Sequence, residues 1–412
     1  MKVAILTLGC KVNQAESAFM ARRLSSRGLA VVELSEQPDY CVINTCTVTA
    51  KSDYQSRQLI RRAVRTGARV IVTGCYAQVS PEEVRRIEGV FDIVPNDKKY
   101  NIIKMIDYDI SSTSLYLFAR SRPYVKVQDG CNNACTYCIV PRARGRSRSI
   151  DMPAILNQIS EFESQGYQEI VLTGIHLGSF GHDLQPRSCL TDLLKTILNK
   201  TEIRRLRLSS LEVNEVDEEL IELLQEPRIC RHIHIPLQSG DNSILKLMKR
   251  RYSVRDFTSV VERISGKVNG IAIGTDVIVG FPGEGDLEFS HTRETLESLP
   301  LAYMHIFPFS PRPKTIASGM RGQNAVPVKR ERFAMLNALN TGKKGRYLSS
   351  QVNETLDIVI EEQCSNGTVL GTSSNYLKVR TTADGHRKGS LICVRVSGVD
   401  GSVLTGDAID KV

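Results

Sequence analysis

The first 95 residues alternate short apolar runs with longer runs in which apolar residues recur at helical spacing. The short runs predict strands at residues 3–8, 30–34, 40–45, 69–73 and 91–94. The longer runs predict helices at residues 14–26 and 54–66, and Pro81 opens a further short helix at its first turn. Strands that alternate with helices favour a parallel sheet that is covered on both faces.

The same alternation resumes from Tyr124 with longer units. Six further strands are predicted at residues 124–127, 169–172, 206–209, 232–235, 275–279 and 303–307. Six consecutive strand–helix units predict an incomplete, TIM-like (β/α)6 barrel, whose chemistry belongs at the carboxyl ends of the strands. The segment 107–121 has little periodicity and is predicted to be a linker.

The last part of the chain has a different pattern. A helix is predicted at residues 328–339, within a basic stretch, and short strands follow at residues 356–360, 367–370, 377–380 and 391–396. Glycines punctuate these strands, which is typical of a small antiparallel, OB-like β-barrel. The predicted fold class is therefore α/β with a C-terminal β-barrel, in three domains at residues 1–110, 117–346 and 347–412.

The composition is that of a globular protein, because 41% of the 412 residues are apolar and 24% are charged. These values exclude a disordered, collagen-like or coiled-coil chain. No apolar run approaches the roughly 18 residues that cross a bilayer, and the first run is too short for a signal peptide. We therefore expect a cytoplasmic protein without a membrane segment. The net charge of +9 indicates an anionic partner such as nucleic acid.

Eleven cysteines are many for a chain in a reducing compartment, where metal binding or catalysis explains them better than disulfides. Cys131, Cys135 and Cys138 share one loop after the first strand of the predicted barrel. Three thiolates at this spacing can hold three corners of a cubane iron–sulfur cluster, with the fourth iron open to a substrate. A zinc site is the alternative, but zinc sites usually have four ligands in two pairs, and no second pair lies nearby in the sequence.

Cys10, Cys46 and Cys75 each follow a predicted strand of the first domain. They are 36 and 29 residues apart, close to the roughly 30 residues of a βα repeat. In a parallel sheet all three emerge at the edge where ligands bind, so they are candidates for a second cluster. The alternative is three buried cysteines that act as small hydrophobic residues. We expect the other cysteines to be structural: Cys41, Cys189, Cys230, Cys364 and Cys393.

The 131–138 loop, with the aromatic Tyr137 before its third cysteine, resembles the signature of the radical S-adenosylmethionine (radical SAM) superfamily. This resemblance implies a partial barrel of six strand–helix units, in agreement with the six predicted strands. It also implies a 4Fe-4S cluster whose open iron binds SAM. An electron, expected from a low-potential donor such as flavodoxin or ferredoxin, then cleaves SAM to methionine and a 5′-deoxyadenosyl radical.

Further motifs resemble the methylthiotransferase family across nearly the whole chain. They are LGCKVNQ at residues 8–14, NTCTVT at 44–49, TGCYAQ at 73–78, PLQSG at 236–240, DVIVGFPGE at 276–284 and FPFSPRP at 307–313. The C-terminal barrel resembles a TRAM domain, the RNA-binding module of that family. Together these motifs imply a transferase with SAM and two 4Fe-4S clusters, the second of them held by Cys10, Cys46 and Cys75.

Within the family, the KVNQ and NTCTVT segments most resemble the branch that acts on N6-threonylcarbamoyladenosine at position 37 of tRNA. The anticodon stem-loop of tRNA is therefore the expected partner. Other branches modify N6-isopentenyladenosine in tRNA or an aspartate of a ribosomal protein. Both stay as alternatives, as does a non-catalytic iron–sulfur protein that binds RNA. The chain departs from the family at Ala15, Gly285 and Lys314, where an aromatic residue, a threonine and a glycine are common.

The resemblance also implies a mechanism for methylthiolation of the adenine C2, in which the six cluster cysteines are the catalytic residues. One SAM methylates a sulfur on the open iron of the second cluster, and another yields the radical that removes hydrogen from C2. The carbon radical then takes the methylthio group. The family would hold SAM at Tyr137, Gly174, Ser210, Glu212, Gln238 and Asp276, although helix caps and loop contacts explain such residues about as well.

Four arginines follow the 131–138 loop and alternate with small residues: Arg142, Arg144, Arg146 and Arg148. In an extended segment they would face one side and contact RNA phosphates beside the active site, with a solvated charged face as the alternative. In the C-terminal barrel, Asn375, Tyr376 and Lys378 are expected RNA contacts. A core position is the alternative for Tyr376.

Overall fold

The computed structural model describes residues 1–106, 120–364, 367–382 and 385–409. The chain forms two compact units. The first comprises Met1–Ala119, Gln128–Arg148 and Ser310–Ser318, and the second comprises Arg120–Val127, Ser149–Phe309 and Gly319–Val412. Most of the predicted linker, residues 107–119, lies outside the described residues. Within the described ranges, no helix is both long and apolar enough to cross a membrane.

The first unit contains a five-stranded, wholly parallel sheet of order β2-β1-β3-β4-β5. Strands β1 to β5 are Lys2–Thr7, Ala30–Val31, Tyr40–Thr45, Arg69–Gly74 and Val90–Ile93. Helices α1 to α5 are Lys11–Ser25, Ala50–Val64, Cys75–Val79, Pro81–Arg85 and Ile102–Met105. The predicted parallel sheet is confirmed. The second strand is shorter than predicted, because a 3-10 turn at Leu34–Glu36, capped by the side chains of Glu33 and Glu36, follows it closely.

Both faces of this sheet are covered by helices. Met20 and Leu24 of α1 pack on one face, and Ile60 and Ala63 of α2 pack on the other. The interior strand β4 is accordingly buried over consecutive residues from Val70 to Gly74, which is why its apolar residues 70–72 are continuous rather than alternating.

The partial barrel of the second unit contains all six predicted strands. Strands β6 to β13 of the chain are Tyr124–Lys126, Gln128–Asp129, Arg148–Ser149, Glu169–Thr173, Arg205–Leu208, His232–His234, Ala272–Val279 and Tyr303–Pro308. Two parallel sheets, β10-β9-β6 and β11-β12-β13, form the barrel wall. Leu206 of β10 bridges to Ile229, shortly before β11, and the Leu211 N–H donates to the His234 carbonyl of β11 at 2.9 Å. The wall therefore follows the chain in the order β6, β9, β10, β11, β12 and β13.

Seven helices lie between these strands in the described part of the chain, and all but the first of them, which belongs to the first unit, cover the outside of the barrel. Helices α6 to α12 are Val140–Arg144, Met152–Ser164, Leu190–Lys200, Glu218–Leu223, Asn242–Leu247, Val254–Lys267 and Asp286–Ser298. Helix α13, Val326–Ser349, is twice as long as predicted from the sequence. Its extension is held because Asn340 bonds to both backbone groups of Met304, and Lys343 donates to the carbonyls of Glu297 and Leu299.

A closed five-stranded barrel ends the chain. Strands β14 to β18 are Thr355–Gln363, Thr368–Ser373, Lys378–Thr382, Leu391–Asp400 and Val403–Ile409, in the order β14-β15-β16-β18-β17. The pairs are antiparallel except β16 with β18, which is parallel. The small barrel is confirmed, but its fifth strand was not predicted, because Gly406 and the charged Asp407 interrupt the apolar pattern there.

The C-terminal barrel is anchored at the amino ends of the larger barrel's strands. Arg207 of β10 donates to the carbonyls of Ser373 and Ser374, both at 2.9 Å. The ring of Tyr376 lies 4.4 Å from that of His232, on β11. The small barrel therefore covers the end of the partial barrel opposite to the one where catalysis takes place in such folds.

Candidate active site

The three N-terminal cysteines follow three neighbouring strands of the parallel sheet. Cys46 and Cys75 come directly after β3 and β4, and Cys10 lies immediately before helix α1. Strands β1 and β3 flank the point where the strand order reverses, and ligands of such sheets bind at the carboxyl ends beside that point. The three cysteines therefore lie together at the ligand-binding edge of the sheet.

The pKa values of the Cys46 and Cys75 thiols are influenced by the neighbouring cysteines. Burial raises the pKa of the Cys75 thiol to about 11, and the nearby Cys10 and Cys46 act in the same direction. Burial also raises the pKa of Cys46, with a further contribution from Cys10. Cys10 is exposed, so the group is reachable from solvent. Three adjacent thiols of this kind are a soft donor set that fits an iron–sulfur cluster.

Two asparagines fasten the loops that carry the first two cysteines. The side-chain amide of Asn13 donates to the carbonyl of Leu8 at 2.7 Å and to that of Thr45 at 2.9 Å. The amide of Asn44 in turn donates to the carbonyl of Asn13 at 3.0 Å. Because Leu8 and Thr45 lie at the ends of neighbouring strands, these hydrogen bonds hold the two loops side by side.

Two glycines are required by the close approach of these loops. Gly9 has φ +113°, and a Cβ there would lie 3.2 Å from the sulfur of Cys46. Gly74 has φ +93°, and a Cβ there would lie 2.5 Å from the backbone nitrogen and oxygen of Thr45. A side chain at position 74 is therefore excluded sterically, and one at position 9 would crowd Cys46 and strain the backbone.

The 131–138 loop also belongs to the first unit. Its three cysteines are half-buried, and the loop is closed by hydrogen bonds from the Cys131 N–H to the Gly145 carbonyl and from the Cys138 N–H to the Cys135 carbonyl, both at 3.1 Å. The Thr136 carbonyl accepts from the Ala317 N–H at 2.9 Å. A tight loop with three partly accessible thiols fits three corners of a cubane cluster.

A buried group of charges lies beside the N-terminal cysteines. Arg144 donates to Glu16 Oε1 at 3.0 Å and to Asp129 Oδ1 at 2.8 Å, and Lys99 pairs with the same Glu16. The side chains of Arg144, Glu16 and Lys99 are at most 2% exposed. Sequence reasoning missed Glu16 and Lys99, because they are 83 residues apart and no local pattern connects them.

In the second unit, polar side chains form a row of close contacts from the end of β10 across β11 to β13. The Ser210 hydroxyl lies 2.9 Å from His234 Nδ1, and Asp276 Oδ1 lies 3.2 Å from both His234 Nε2 and His305 Nδ1. Although burial raises it, hydrogen bonds from the two histidines hold the pKa of Asp276 well below its usual range. The three ligand atoms of His234, Asp276 and His305 also lie close enough together to hold a metal ion.

The other residues expected to bind SAM in this unit lie after the barrel strands. Gly174 follows β9 directly. Glu212 follows β10 and pairs with Arg250, and burial raises its pKa. Gln238 follows β11 with φ +69°, and its N–H donates to the Asp276 carbonyl at 2.8 Å. Tyr137, in contrast, belongs to the first unit together with the cysteine loop.

Comparisons with known proteins agree with this arrangement. Two family models match the sequence: Uncharacterized protein family UPF0004 over residues 2–95, and Radical SAM superfamily over residues 125–296. The threonylcarbamoyladenosine tRNA methylthiotransferase MtaB of Aquifex aeolicus is 39% identical, over 88% of this chain and 93% of its own length. The Bacillus subtilis enzyme of the same name is 36% identical, over 96% and 93%. The chain belongs to the radical SAM methylthiotransferase family.

A solved structure shows the same fold at lower sequence identity. The radical SAM methyltransferase TsrM of Kitasatospora setae, solved with cobalamin and a 4Fe-4S cluster, has a TM-score of 0.60 over 77% of each chain at 15% identity. Membership of the methylthiotransferase family makes this chain a transferase that uses SAM and two 4Fe-4S clusters. The two sets of three thiols in the first unit fit that requirement.

The predicted row of phosphate-binding arginines in this methylthiotransferase is wrong in one essential respect. Arg142 and Arg144 belong to helix α6, and Arg144 is buried in the charge network rather than facing solvent. Arg146 and Arg148 are exposed, and Arg148 lies 3.7 Å from Asp129. The segment is not extended, because α6 forms up to Arg144 before Gly145, at φ +76°, ends it.

The expected RNA contacts of the C-terminal barrel are largely engaged within the protein. The ring of Tyr376 packs against His232 and lies 5.2 Å from the guanidinium carbon of Arg207, and 37% of the residue is exposed. Lys378 pairs with Glu361. Asn375 is buried, and its amide donates to Gln351 at 2.7 Å. This surface therefore anchors the C-terminal barrel, a role that the sequence pattern did not indicate.

Proposed function

We propose that this methylthiotransferase acts on tRNA and adds a methylthio group to C2 of N6-threonylcarbamoyladenosine at position 37. Two relatives with that substrate in their names match at 36–39% identity over 88% or more of the chain, which supports the proposal. The main structural observation in support of this proposal is the presence of two separate sets of three thiols in one compact unit.

Each set has a distinct role in this proposal. Cys131, Cys135 and Cys138 hold the cluster that binds SAM, called here the SAM cluster. The other three hold what is called here the auxiliary cluster: Cys10, Cys46 and Cys75. Three thiolates occupy three of the four irons in each case, so that one iron remains for a substrate or for sulfur.

The adenine C2–H bond is unactivated, and no acid–base group of a protein breaks such a bond. SAM and the clusters, when bound, supply the radical chemistry that this step needs. The chain contributes orientation: Glu212, fixed by Arg250, and Gln238, fixed at Asp276, lie after the barrel strands with Gly174 and Ser210, where SAM is proposed to bind. Asp276, within β12, and Tyr137, on the cysteine loop of the first unit, are also assigned to SAM. The hydrogen bond between Ser210 and His234 and the 3.2 Å contact between His234 and Asp276 help to position these side chains.

The proposed partners follow from the charge of the chain. The net charge of +9 favours a polyanion, and the exposed Arg142, Arg146 and Arg148 follow the cysteine loop directly. We assign these three arginines to tRNA phosphate contacts at the anticodon stem-loop, with Tyr376 and Lys378 as contacts through their exposed parts. The electron comes from a low-potential donor such as flavodoxin or ferredoxin, in the cytoplasm.

The test uses anaerobically reconstituted protein with SAM, sulfide and a reductant. In parallel reactions it receives tRNA that bears threonylcarbamoyladenosine or isopentenyladenosine, and the nucleosides are analysed by mass spectrometry. Methylthio product in the first reaction alone is the expected result. Product in the second alone would assign the enzyme to the other tRNA branch. Formation of 5′-deoxyadenosine without a modified nucleoside in either would point to a protein substrate.

A further inference from the structure

The buried charge network of the first unit has no obvious role in stability. Arg144, Lys99 and Glu16 place two cations and one carboxylate where their side chains are at most 2% exposed. Removing such charges from water is energetically costly, and apolar residues of similar volume often stabilise a protein as well or better. The network therefore calls for an explanation in terms of what lies next to it.

The two cations of this network face the N-terminal thiols. Helix α3, which begins at Cys75, contacts both helix α6, which ends at Arg144, and the 3-10 turn Asn96–Asn101, which contains Lys99. Arg144 also donates to Asn13 Oδ1, the atom that lies 3.8 Å from the sulfur of Cys10. Positive charge therefore lies beside the N-terminal thiols. A four-iron cluster bound there would consist of iron with anionic thiolate and sulfide ligands.

Arg144 carries a further sign of a missing acceptor. Its terminal nitrogens bond to Glu16, Asp129 and Asn13. Its Nε, in contrast, is buried and has no hydrogen-bond partner among the described residues. Leaving a buried N–H of a charged group without an acceptor is costly, so such a group normally has a partner in the protein, in an ordered water or in a bound group.

We propose that Arg144 donates a charge-assisted N–H···S hydrogen bond to the auxiliary cluster and, together with Lys99, raises the reduction potential of that cluster. The proposal rests on the assignment of Cys10, Cys46 and Cys75 as its ligands. Reduction adds one electron, from the external reductant, and changes the core from the 2+ to the 1+ state. The reduced cluster is more negative, so adjacent cations and N–H donors stabilise it relative to the oxidised one.

The same guanidinium links the auxiliary site to the other cysteine site. Asp129, which accepts from Arg144 at 2.8 Å, also accepts from the Gly130 N–H at 2.8 Å, directly before Cys131. Arg144 therefore orients the start of the 131–138 loop while it faces the auxiliary cluster. It acts as a positioning residue in this proposal, and its effect on the cluster is measurable without turnover.

The experiment uses the full-length protein with Cys131, Cys135 and Cys138 replaced by alanine, so that only the auxiliary cluster is observed. Iron content is measured after anaerobic reconstitution, and the midpoint potential is determined by EPR-monitored redox titration. Arg144→Gln and Lys99→Met should each shift the midpoint to more negative potential. Arg144→Lys, which keeps the charge, should shift it less than Arg144→Gln, and Arg142→Gln, an exposed position on the same helix, should leave it unchanged.

Two outcomes would overturn the proposal. One is an unchanged midpoint in Arg144→Gln and Lys99→Met with the full iron content. The other is loss of the cluster in Arg144→Gln while Arg144→Lys and Lys99→Met retain both cluster and potential, which would make Arg144 a packing residue only. Failure of the parent protein to bind iron at all would instead contradict the ligand assignment under Proposed function.

Discussion

Glu169 and Arg207 form an ion pair at 2.7 Å in which both side chains are completely buried. The pair lies at the amino ends of β9 and β10, and Arg205 adds a second contact to Glu169 at 2.7 Å. The same arginines donate to carbonyls of the C-terminal barrel, at Thr372 and Ser373 among others. One carboxylate thereby fixes the side chains that join the two barrels.

Replacing Glu169 with glutamine should destabilise the protein strongly. Removal of one partner from a buried ion pair costs about 3–5 kcal/mol, because the other charges lose their counterion. Denaturation followed by circular dichroism measures the change, since the chain has no tryptophan for fluorescence. Glu218→Gln, which removes half-exposed pairs with Arg263 and Lys267, is the matched control and should change stability by no more than about 1 kcal/mol.

Glu169 should also make the free energy of unfolding depend on pH, in a direction that follows from its pKa. Although burial alone raises it, Arg205 and Arg207 lower the pKa of Glu169 to about 2, from an ordinary value of 4.5. Its contribution to stability is therefore complete above about pH 4.5 and is lost as the pH falls toward 2. The difference in unfolding free energy between the wild-type protein and Glu169→Gln should narrow in that window. A difference that stays constant from pH 5 to the acid limit of folding would contradict the assigned shift.

Replacement of the two cysteine sets should affect different reactions of the enzyme. Alanine at Cys131, Cys135 and Cys138 should abolish cleavage of SAM to 5′-deoxyadenosine and remove half of the bound iron. Alanine at the other three ligand positions should also remove half of the iron, yet spare SAM cleavage and eliminate methylthio product. Liquid chromatography of 5′-deoxyadenosine and mass spectrometry of nucleosides measure both reactions. Methylthiolated tRNA from the second variant would refute the two-cluster assignment.

Gly74→Ala should selectively disturb the auxiliary site. The new methyl group would lie 2.5 Å from the backbone of Thr45, so the strand ends must move apart and the thiols with them. We expect loss of the auxiliary half of the iron with the SAM cluster retained, as measured by iron analysis and EPR. Gly67→Ala is the control, because Gly67 also has a positive φ, +79°, but open space around it. Gly67→Ala should lower the free energy of unfolding by only roughly 1–2 kcal/mol, because of the unfavourable backbone conformation, and should retain both clusters.

Neutralising the exposed arginines should weaken tRNA binding in a salt-dependent way. Each lost phosphate contact releases one fewer counterion, so Arg146→Gln and Arg148→Gln should each reduce the slope of log K against log salt by about 1. Filter binding over a range of salt concentrations measures the slope. Arg263→Gln, an exposed position on α11 that pairs with Glu218, should leave the slope unchanged. If the slope were the same in all three variants, Arg146 and Arg148 would not contact tRNA phosphates.

The positions of the cysteines could be predicted from sequence because the cause is local. A strand of five or six residues followed by a helix is visible in the apolar pattern, and parallel strands bring their ends to one edge. The positions of Cys10, Cys46 and Cys75 after predicted strands, together with separations close to a βα repeat, predict that they lie at the same edge. The six barrel strands were recognised for the same reason, with errors of one to three residues at their ends.

The role of Arg144 could not be predicted, because it depends on contacts that are distant in sequence. Its alternation with Arg142 and Arg146 suggests an extended basic strand, and nothing nearby marks one of them as buried. The partners that bury it, Glu16 and Asn13, lie 128 and 131 residues away in the chain. Tyr376 is similar, since its partners His232 and Arg207 belong to the other barrel.

The dispersed origin of the auxiliary ligands has a consequence for how the two sites tolerate insertions. The turns at Gly28 and Gly67 precede β2 and β4, at the sheet edge opposite to the thiols. Extra residues there would change the numerical spacing of the cysteines and leave the ligand positions untouched. Within the 131–138 loop, one added residue would displace a ligand directly. The number of residues between the cysteines can therefore vary at the auxiliary site, whereas it is fixed within the 131–138 loop. Loops inserted to redesign this enzyme are best placed in the turns that precede the strands of the first sheet.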